Sequence, residues 1–414
     1  MKKLTLKELA IPLIKSIDSF NYLLKSHHRR TAIISYFLGK ELELNDEEII
    51  LLVISAALHD IGALSVQERD MLIKEDVENP NPHCVMGYKM LSSFQVFQDV
   101  AQILKHHHIK YEDLSKYKEG EVLFQSQIIH LADRVDVLTL TDKFILDQKL
   151  AITESIASHS GTTFNPKIVE AFLEISRSDI FWIRINNMTM DHLFELVNFT
   201  LDYELTIDDV IDFSWTISKI IDFRSKFTAS HSATVAQLAY FLGKKLGQDD
   251  ITCKKLKVAG YLHDIGKLGI DPSIIEKDGP LTDEEYNQIK LHPYYTEQIL
   301  NDLHENDWFK DIVDWSKNHH ENALGTGYPY GLKLDAKCDQ SLIIAYADVL
   351  SALMENRPYR DSLDLEEALN IIHSQCVHKL CKKVFELIVE NKEEIHDIIG
   401  KCQIMSYELF HQMD

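Results

Sequence analysis

The chain has 414 residues, a formal net charge of −22 and a 45% apolar composition. That length accommodates two ordinary domains, and that apolar fraction supports a buried core, which excludes a disordered chain. An acidic surface argues against binding a DNA or RNA duplex, because phosphate backbones are held by clustered Lys and Arg. A small anionic substrate stays admissible, since metal ions invert the local field inside a cleft.

Taken in order, the N-terminus Met1-Lys2-Lys3-Leu4-Thr5 leads into charged helical sequence and not an apolar signal segment. Asn45-Asp46-Glu47-Glu48 reads as a helix start, and Ile49, Leu52, Val53 and Ala56 recur at helical spacing behind it. The apolar run Ile49–Leu58 is too short to span a bilayer, which needs about 20 residues. No membrane segment and a cytoplasmic location are expected. A loop is expected near Asn79–Pro82. Val235, Leu238, Ala239 and Leu242 mark another helix. Thr282-Asp283-Glu284-Glu285 marks a further helix start, with loops at Asp278–Pro280 and Gly325–Gly331. Convincing alternating strands are absent, so the predicted fold class is all-α. The six cysteines (84, 253, 338, 376, 381 and 402) form no C-x-x-C pair and read as reduced thiols.

The chain repeats itself. Ser26-His27, Tyr36-Phe37-Leu38-Gly39-Lys40 and Leu58-His59-Asp60-Ile61-Gly62 return as Ser230-His231, Tyr240-Phe241-Leu242-Gly243-Lys244 and Leu262-His263-Asp264-Ile265-Gly266, at one constant offset of 204. A gapless repeat of this kind implies two copies of one domain. The expected division is residues 1–183, a helical connector at 184–213, and a second copy at 214–414.

In the second copy, metal-binding residue types fall at His231, His263-Asp264, His292, His319-His320 and Asp348. His263 and Asp348 follow strongly apolar stretches, where a buried charge is expensive unless it is paired or bound to metal. Converging imidazoles and carboxylates would meet that need together; separate buried hydrogen bonds are the alternative.

This pattern resembles the HD phosphohydrolase superfamily, and within it the HD-GYP family. The resemblance is carried by His263-Asp264-Ile265-Gly266-Lys267, Leu291-His292-Pro293, His319-His320-Glu321, Gly325-Thr326-Gly327-Tyr328-Pro329 and Arg357-Pro358-Tyr359-Arg360. It covers residues 222 to 375 closely. It implies two tandem HD-type helical domains and a centre of two transition-metal ions, iron or manganese. His231, His263, Asp264 and Asp348 would surround one ion. Asp264, His292, His319 and His320 would surround the other, with Asp264 bridging. Lys267 and Asp264 are the expected catalytic residues, Lys267 stabilising charge on the phosphate or leaving group; a solvated helix-end lysine is its plainer reading. Gly327 and Tyr328 would line the cleft, although the loop also reads as a plain turn. Arg357, Tyr359 and Arg360 would contact substrate, the arginines also being able to pair with nearby acids. The implied activity is phosphodiester hydrolysis of cyclic di-GMP to a linear dinucleotide, with further cleavage to GMP left open. The alternatives are 3′,3′-cyclic GMP-AMP as substrate, a regulatory cyclic-dinucleotide-binding protein, and a mononucleotide phosphohydrolase. A homodimer is compatible with this reading.

Two departures from the family pattern stand out. Phe227 occupies the place of a glutamate that serves a third metal in some members, which favours two metals. Ser351 stands where an Asp is usual three residues after the last ligand, which puts one supporting hydrogen bond in doubt. The first copy keeps a second candidate set, His27, His59, Asp60, His83, His107, His108 and Asp133. It has Ala63 in place of Lys267 and lacks the Gly-Tyr-Pro and arginine segments. Metal-bound but idle, metal-free scaffold, and second hydrolase all stay open for it.

Overall fold

The computed structural model describes residues 4–19, 26–63, 81–140, 142–199, 202–203, 205–222, 230–275, 277, 279–304, 306–335, 339–355 and 362–413. The fold is all-α, as expected. The described residues also contain one short antiparallel pair, Leu4–Thr5 with Asp202–Tyr203. Two residues per strand are too few to produce an alternating pattern. No helix among the described residues is long and apolar enough to cross a membrane.

The chain divides into two compact units, Lys3–Tyr203 and Glu204–Asp414 together with Met1–Lys2. Of residues 184–213, the helix Met190–Leu196 and strand Asp202–Tyr203 fall in the first unit, and the helix Ile207–Asp222 in the second.

Each unit is built around one apolar helix that ends at the His-Asp pair. In the first, Asn45 caps the helix Asp46–Leu58 through a capping box with Glu48, at the predicted start. Ile49, Ile50, Leu52, Val53, Ile54, Ala56, Ala57 and Leu58 are all buried, so apolar side chains surround the axis. Such a helix belongs inside a core and not at its edge. It packs against the helix His27–Glu41, which in turn meets Phe124–Val137. The second unit repeats the plan. Asp249 caps Asp250–Leu262, which packs against His231–Lys245, and that helix packs against Gln340–Met354. Thr282 and Glu285 form the second predicted capping box.

A glycine sets the spacing behind each His-Asp pair. A Cβ added to Gly266 would lie 1.9 Å from the His292 carbonyl oxygen and 2.4 Å from the Thr296 backbone nitrogen. At Gly62 it would lie 2.1 Å from the His83 oxygen and 2.4 Å from the Gly87 nitrogen. The close approach is secured in the second unit by Thr296, whose Oγ1 accepts from the Gly266 N–H at 3.0 Å and donates to the His263 carbonyl at 2.9 Å. Only a residue without a side chain lets the helix starting at His292 lie this close to the His-Asp turn. Gly266→Ala should therefore destabilise the second unit by about 1–3 kcal/mol or more, the range for overpacking. Urea denaturation followed by circular dichroism measures this; an unchanged midpoint would show that the contact yields freely.

Candidate metal centre

Three histidines of the second unit, His263, His292 and His319, sit just past helix ends, where backbone carbonyls lack intrahelical partners. His263 follows the helix Asp250–Leu262, and its Nδ1 lies 2.8 Å from the Gly260 carbonyl. His292 Nδ1 lies 2.7 Å from the Ile289 carbonyl, and His319 Nδ1 lies 2.6 Å from that of Ser316. A carbonyl can only accept, so in the neutral ring Nδ1 carries the proton and Nε2 presents a lone pair. Three residues of separation thus fix both ring orientation and tautomer.

Those lone pairs converge on one carboxylate. Asp264 Oδ2 lies 3.3 Å from His263 Nε2 and 3.5 Å from His231 Nε2. Its Oδ1 lies 3.4 Å from His292 Nε2 and 3.9 Å from His319 Nε2. Asp348 Oδ1 closes the first group, 3.3 Å from His231 Nε2 and 3.9 Å from His263 Nε2. His320 joins the second group, with donor atoms of His292, His319 and His320 all within 4.8 Å of one another. The structure therefore brings together His231, His263, Asp264, His292, His319, His320 and Asp348, with one oxygen of Asp264 turned to each group.

Between the neutral rings the contact is acceptor against acceptor. His292 Nε2 and His319 Nε2 approach to 3.2 Å. His231 Nε2, His263 Nε2 and Asp264 Oδ1 are buried without a hydrogen-bond partner. Burial and neighbouring His320 and Lys267 outweigh the pull of Asp264 and push His292 down to about 3. Burial likewise lowers His320 to about 4. Burial opposes the charge on Asp264, yet the neighbouring His263, Lys267 and His231 hold it well below the usual carboxylate range. Neutral imidazoles around an anionic carboxylate are the donor state a cation requires. His231 differs. Burial lowers it, but Glu355, Asp264 and Asp348 together raise it well above the ordinary value, so it gives up a proton when its Nε2 serves a metal.

Of the other predicted residues, Lys267 reaches the centre, with Nζ 2.5 Å from Asp264 Oδ2. Tyr328 stacks on His320 at 4.6 Å between ring centroids and 27° between planes. Gly327 packs against the His320 carbonyl, where a Cβ would stand at 2.4 Å. Glu321, 1% exposed, organises this loop by accepting the backbone N–H groups of Tyr330, Gly331 and Leu332 at 2.7, 3.0 and 2.8 Å. Arg357, Tyr359 and Arg360 lie outside the described residues, as does Phe227.

Sequence reasoning missed Glu355. Its Oε2 lies 3.2 Å from His231 Nδ1, and its Oε1 accepts from Ser230 and Ser351 at 3.1 Å each. Ser351 Oγ also meets His231 Nδ1 at 3.1 Å. The support that seemed doubtful at Ser351 is therefore supplied from one helical turn further on. In the first unit the acid keeps the earlier position: Asp136, three residues after Asp133, lies 2.6 Å from His27 Nδ1.

The first unit holds the same cage. Asp60 Oδ2 lies 3.1 Å from His59 Nε2 and 3.6 Å from His27 Nε2, and Oδ1 lies 3.5 Å from His83 Nε2. Asp133 Oδ1 is 3.4 Å from His27 Nε2, and His83 Nε2 is 3.3 Å from His107 Nε2. His108 lies beside His83, with ring centroids 5.0 Å apart.

Comparison with known proteins accounts for the repeat. The HD-domain family matches residues 24–138 and again residues 216–380. The chain belongs to the HD-domain family. It carries two HD domains, and each contains one of the cages just described. A 3′3′-cGAMP-specific phosphodiesterase 1 of Vibrio cholerae is 29% identical over 403 residues, 93% of this chain and 91% of that protein. A cyclic di-GMP phosphodiesterase of Thermotoga maritima is 32% identical over 177 residues, 42% of this chain and 48% of that one. The tandem HD fold also resembles the crystal structure of a cyclic GMP-AMP-specific phosphodiesterase of Vibrio cholerae, with a TM-score of 0.63 and 22% identity, covering 97% of this chain and 98% of that one. At that identity the likeness is one of fold.

Supporting groups behind metal-binding histidines typically account for about 10–100-fold in affinity. Glu355→Ala should weaken metal binding by the second HD domain on that scale, and Ser351→Ala should cost less. Competition with a chelating indicator reads both; equal affinities in wild type and Glu355→Ala would dismiss the role given to Glu355.

Proposed function

We propose that this chain is a metal-dependent phosphodiesterase that opens cyclic di-GMP, with the activity in residues 214–414 and residues 1–183 adding stability or control. The observation that carries the reading is the Asp264 carboxylate shared between two groups of buried acceptor nitrogens. The donor set fits two cations: His231, His263, Asp264 and Asp348 would hold one, and Asp264, His292, His319 and His320 the other. Imidazole and carboxylate without thiolate suit iron or manganese. Bound there, the metal pair would lower the pKa of a water and neutralise phosphate oxygens.

The chain's own residues would do the rest. Lys267, beside Asp264, would hold the charge that builds on the phosphate as water adds across one P–O bond and a ribose oxygen departs as an alcohol. The product is a linear dinucleotide, and a second round gives GMP. Tyr328, fixed on His320, would offer an edge or face to the ligand, with Gly327 giving backbone access. Arg357 and Arg360 would supply planar forks for phosphate or a guanine edge, with Tyr359 stacking on a base. The first HD domain lacks a lysine at Ala63 and lacks the Gly-Tyr-Pro segment, so it would not position a dinucleotide in the same way.

A second reading, 3′,3′-cyclic GMP-AMP as substrate, is favoured by a specific observation. The Vibrio relative named for that nucleotide matches along 93% of this chain, whereas the Thermotoga relative named for cyclic di-GMP matches along 42%. Both nucleotides contain guanine, so the proposed arginine contacts serve either.

Metal-loaded protein should cleave members of a cyclic-dinucleotide panel and leave mononucleotides intact, with products separated by chromatography. The ratio of kcat/KM for the two guanine-containing rings selects between the readings. Asp264→Ala should lose both bound metal and hydrolysis. His59→Ala with Asp60→Ala should keep turnover within several-fold, while His263→Ala with Asp264→Ala should eliminate it. The reverse pattern in folded variants would move the active site to the first domain. Arg357→Ala should keep its metal and lose about 1.5–3 kcal/mol of binding, the range for a charged hydrogen bond. An unchanged KM and kcat would remove Arg357 from the substrate site.

A further inference from the structure

The first HD domain differs from the second in what surrounds its cage. His83 and Cys84 are adjacent near the start of the helix Asn81–Ser92. Cys84 is buried and forms no disulfide. Its Sγ lies 3.5 Å from His83 Nε2, 3.6 Å from His107 Nδ1 and 4.0 Å from His107 Nε2, and the two Nε2 atoms are 3.3 Å apart. A tetrahedral cation with nitrogen at about 2.0–2.1 Å and sulfur at about 2.3 Å sets nitrogen–nitrogen edges of about 3.3 Å and nitrogen–sulfur edges of about 3.6 Å. Donor atoms of His83, Cys84, His107 and His108 all lie within 4.8 Å of one another.

Two further observations point to a cation at this place. Asp60 Oδ1, which faces His83, is buried without a hydrogen-bond partner, and so is His108 Nε2. His107 Nδ1 lies 2.7 Å from the Leu104 carbonyl, so the neutral ring turns an accepting Nε2 toward His83 Nε2. Acceptors crowded together in a buried place are costly until something positive joins them.

We propose that His83, Cys84, His107 and His108 form a thiolate-containing metal site in the first HD domain, one that holds a borderline-soft divalent cation such as zinc or ferrous iron without hydrolysing a substrate. A thiolate among imidazoles shifts preference toward such metals and away from manganese. The cysteine also fills a coordination position. In the second domain the residue after His292 is Pro293, which offers no ligand atom. Closed coordination marks structural sites, and an open position marks catalytic ones. One oxygen of Asp133 is taken up as well: Arg134 Nε and a terminal nitrogen donate to its Oδ2 at 3.1 and 3.0 Å, where the second domain has Val349 after Asp348. With Ala63 in the place of Lys267, nothing at that position stabilises developing charge.

The test uses the full chain, stripped of metal and reloaded with cobalt(II) as a spectroscopic probe. A sulfur-to-cobalt charge-transfer band should appear in the near-ultraviolet. It should persist in His263→Ala with Asp264→Ala, and disappear in Cys84→Ser and in Cys84→Ala. Zinc-edge X-ray absorption of the zinc-loaded wild type, which depends on no variant, should find sulfur at about 2.3 Å. A wild-type chain with no sulfur neighbour to either metal overturns the proposal. So does a band that survives in a folded Cys84 variant, because another cysteine would then be the ligand.

Discussion

A single buried carboxylate, Asp264, is the constraint around which the second HD domain is arranged. Its two oxygens face two separate sets of imidazole nitrogens, at 3.3 and 3.5 Å on one side and 3.4 and 3.9 Å on the other. An anion in that position is untenable alone, and so are the lone pairs around it. Both become tenable with positive charge between them. Much of the fold serves this: the apolar helix Asp250–Leu262 brings His263 and Asp264 inward, and Gly266 lets the helix beginning at His292 come close enough to present its ring. The helix-end carbonyls of Gly260, Ile289 and Ser316 set the tautomers.

The two HD domains share this arrangement but not its surroundings. In the second, Asp264 is met by a lysine, and an aromatic loop leans on one of the histidines. In the first, a thiol and an arginine close in on equivalent groups. Duplication preserved the costly part, the inward-facing donors, because losing one partner leaves the others buried and unsatisfied. The residues outside that set could diverge without that penalty.

The sequence made the repeat and the donor set legible because each donor lies beside a short ordered motif or inside an apolar run. The His-Asp pairs and the adjacent histidines are local signals, and local signals survive in one dimension. Glu355 was not legible: an acid at the end of a helix usually reads as a solvated residue, and its contact with His231 spans 124 positions. Cys84 reads in the sequence as a reduced thiol because it belongs to no C-x-x-C pair. Its neighbour His107 is 23 residues away and meets it only through folding. The strand pair Leu4–Thr5 with Asp202–Tyr203 left no pattern because its pairing is wholly non-local. Ser351 shows the opposite error: the expected acid is absent at that position, yet the charge is present one turn later.

Glu321 ties two properties of the second domain together. It follows His320 directly in the chain, and its carboxylate pins three successive backbone amides of the loop that carries Tyr328. The loop's path is therefore held through its main chain, and the Tyr330 hydroxyl adds a side-chain tie to Glu297. The same anchor is continuous with a ring of the cage. A change that unpins Glu321 would therefore disturb the loop and the neighbouring His320 ring together.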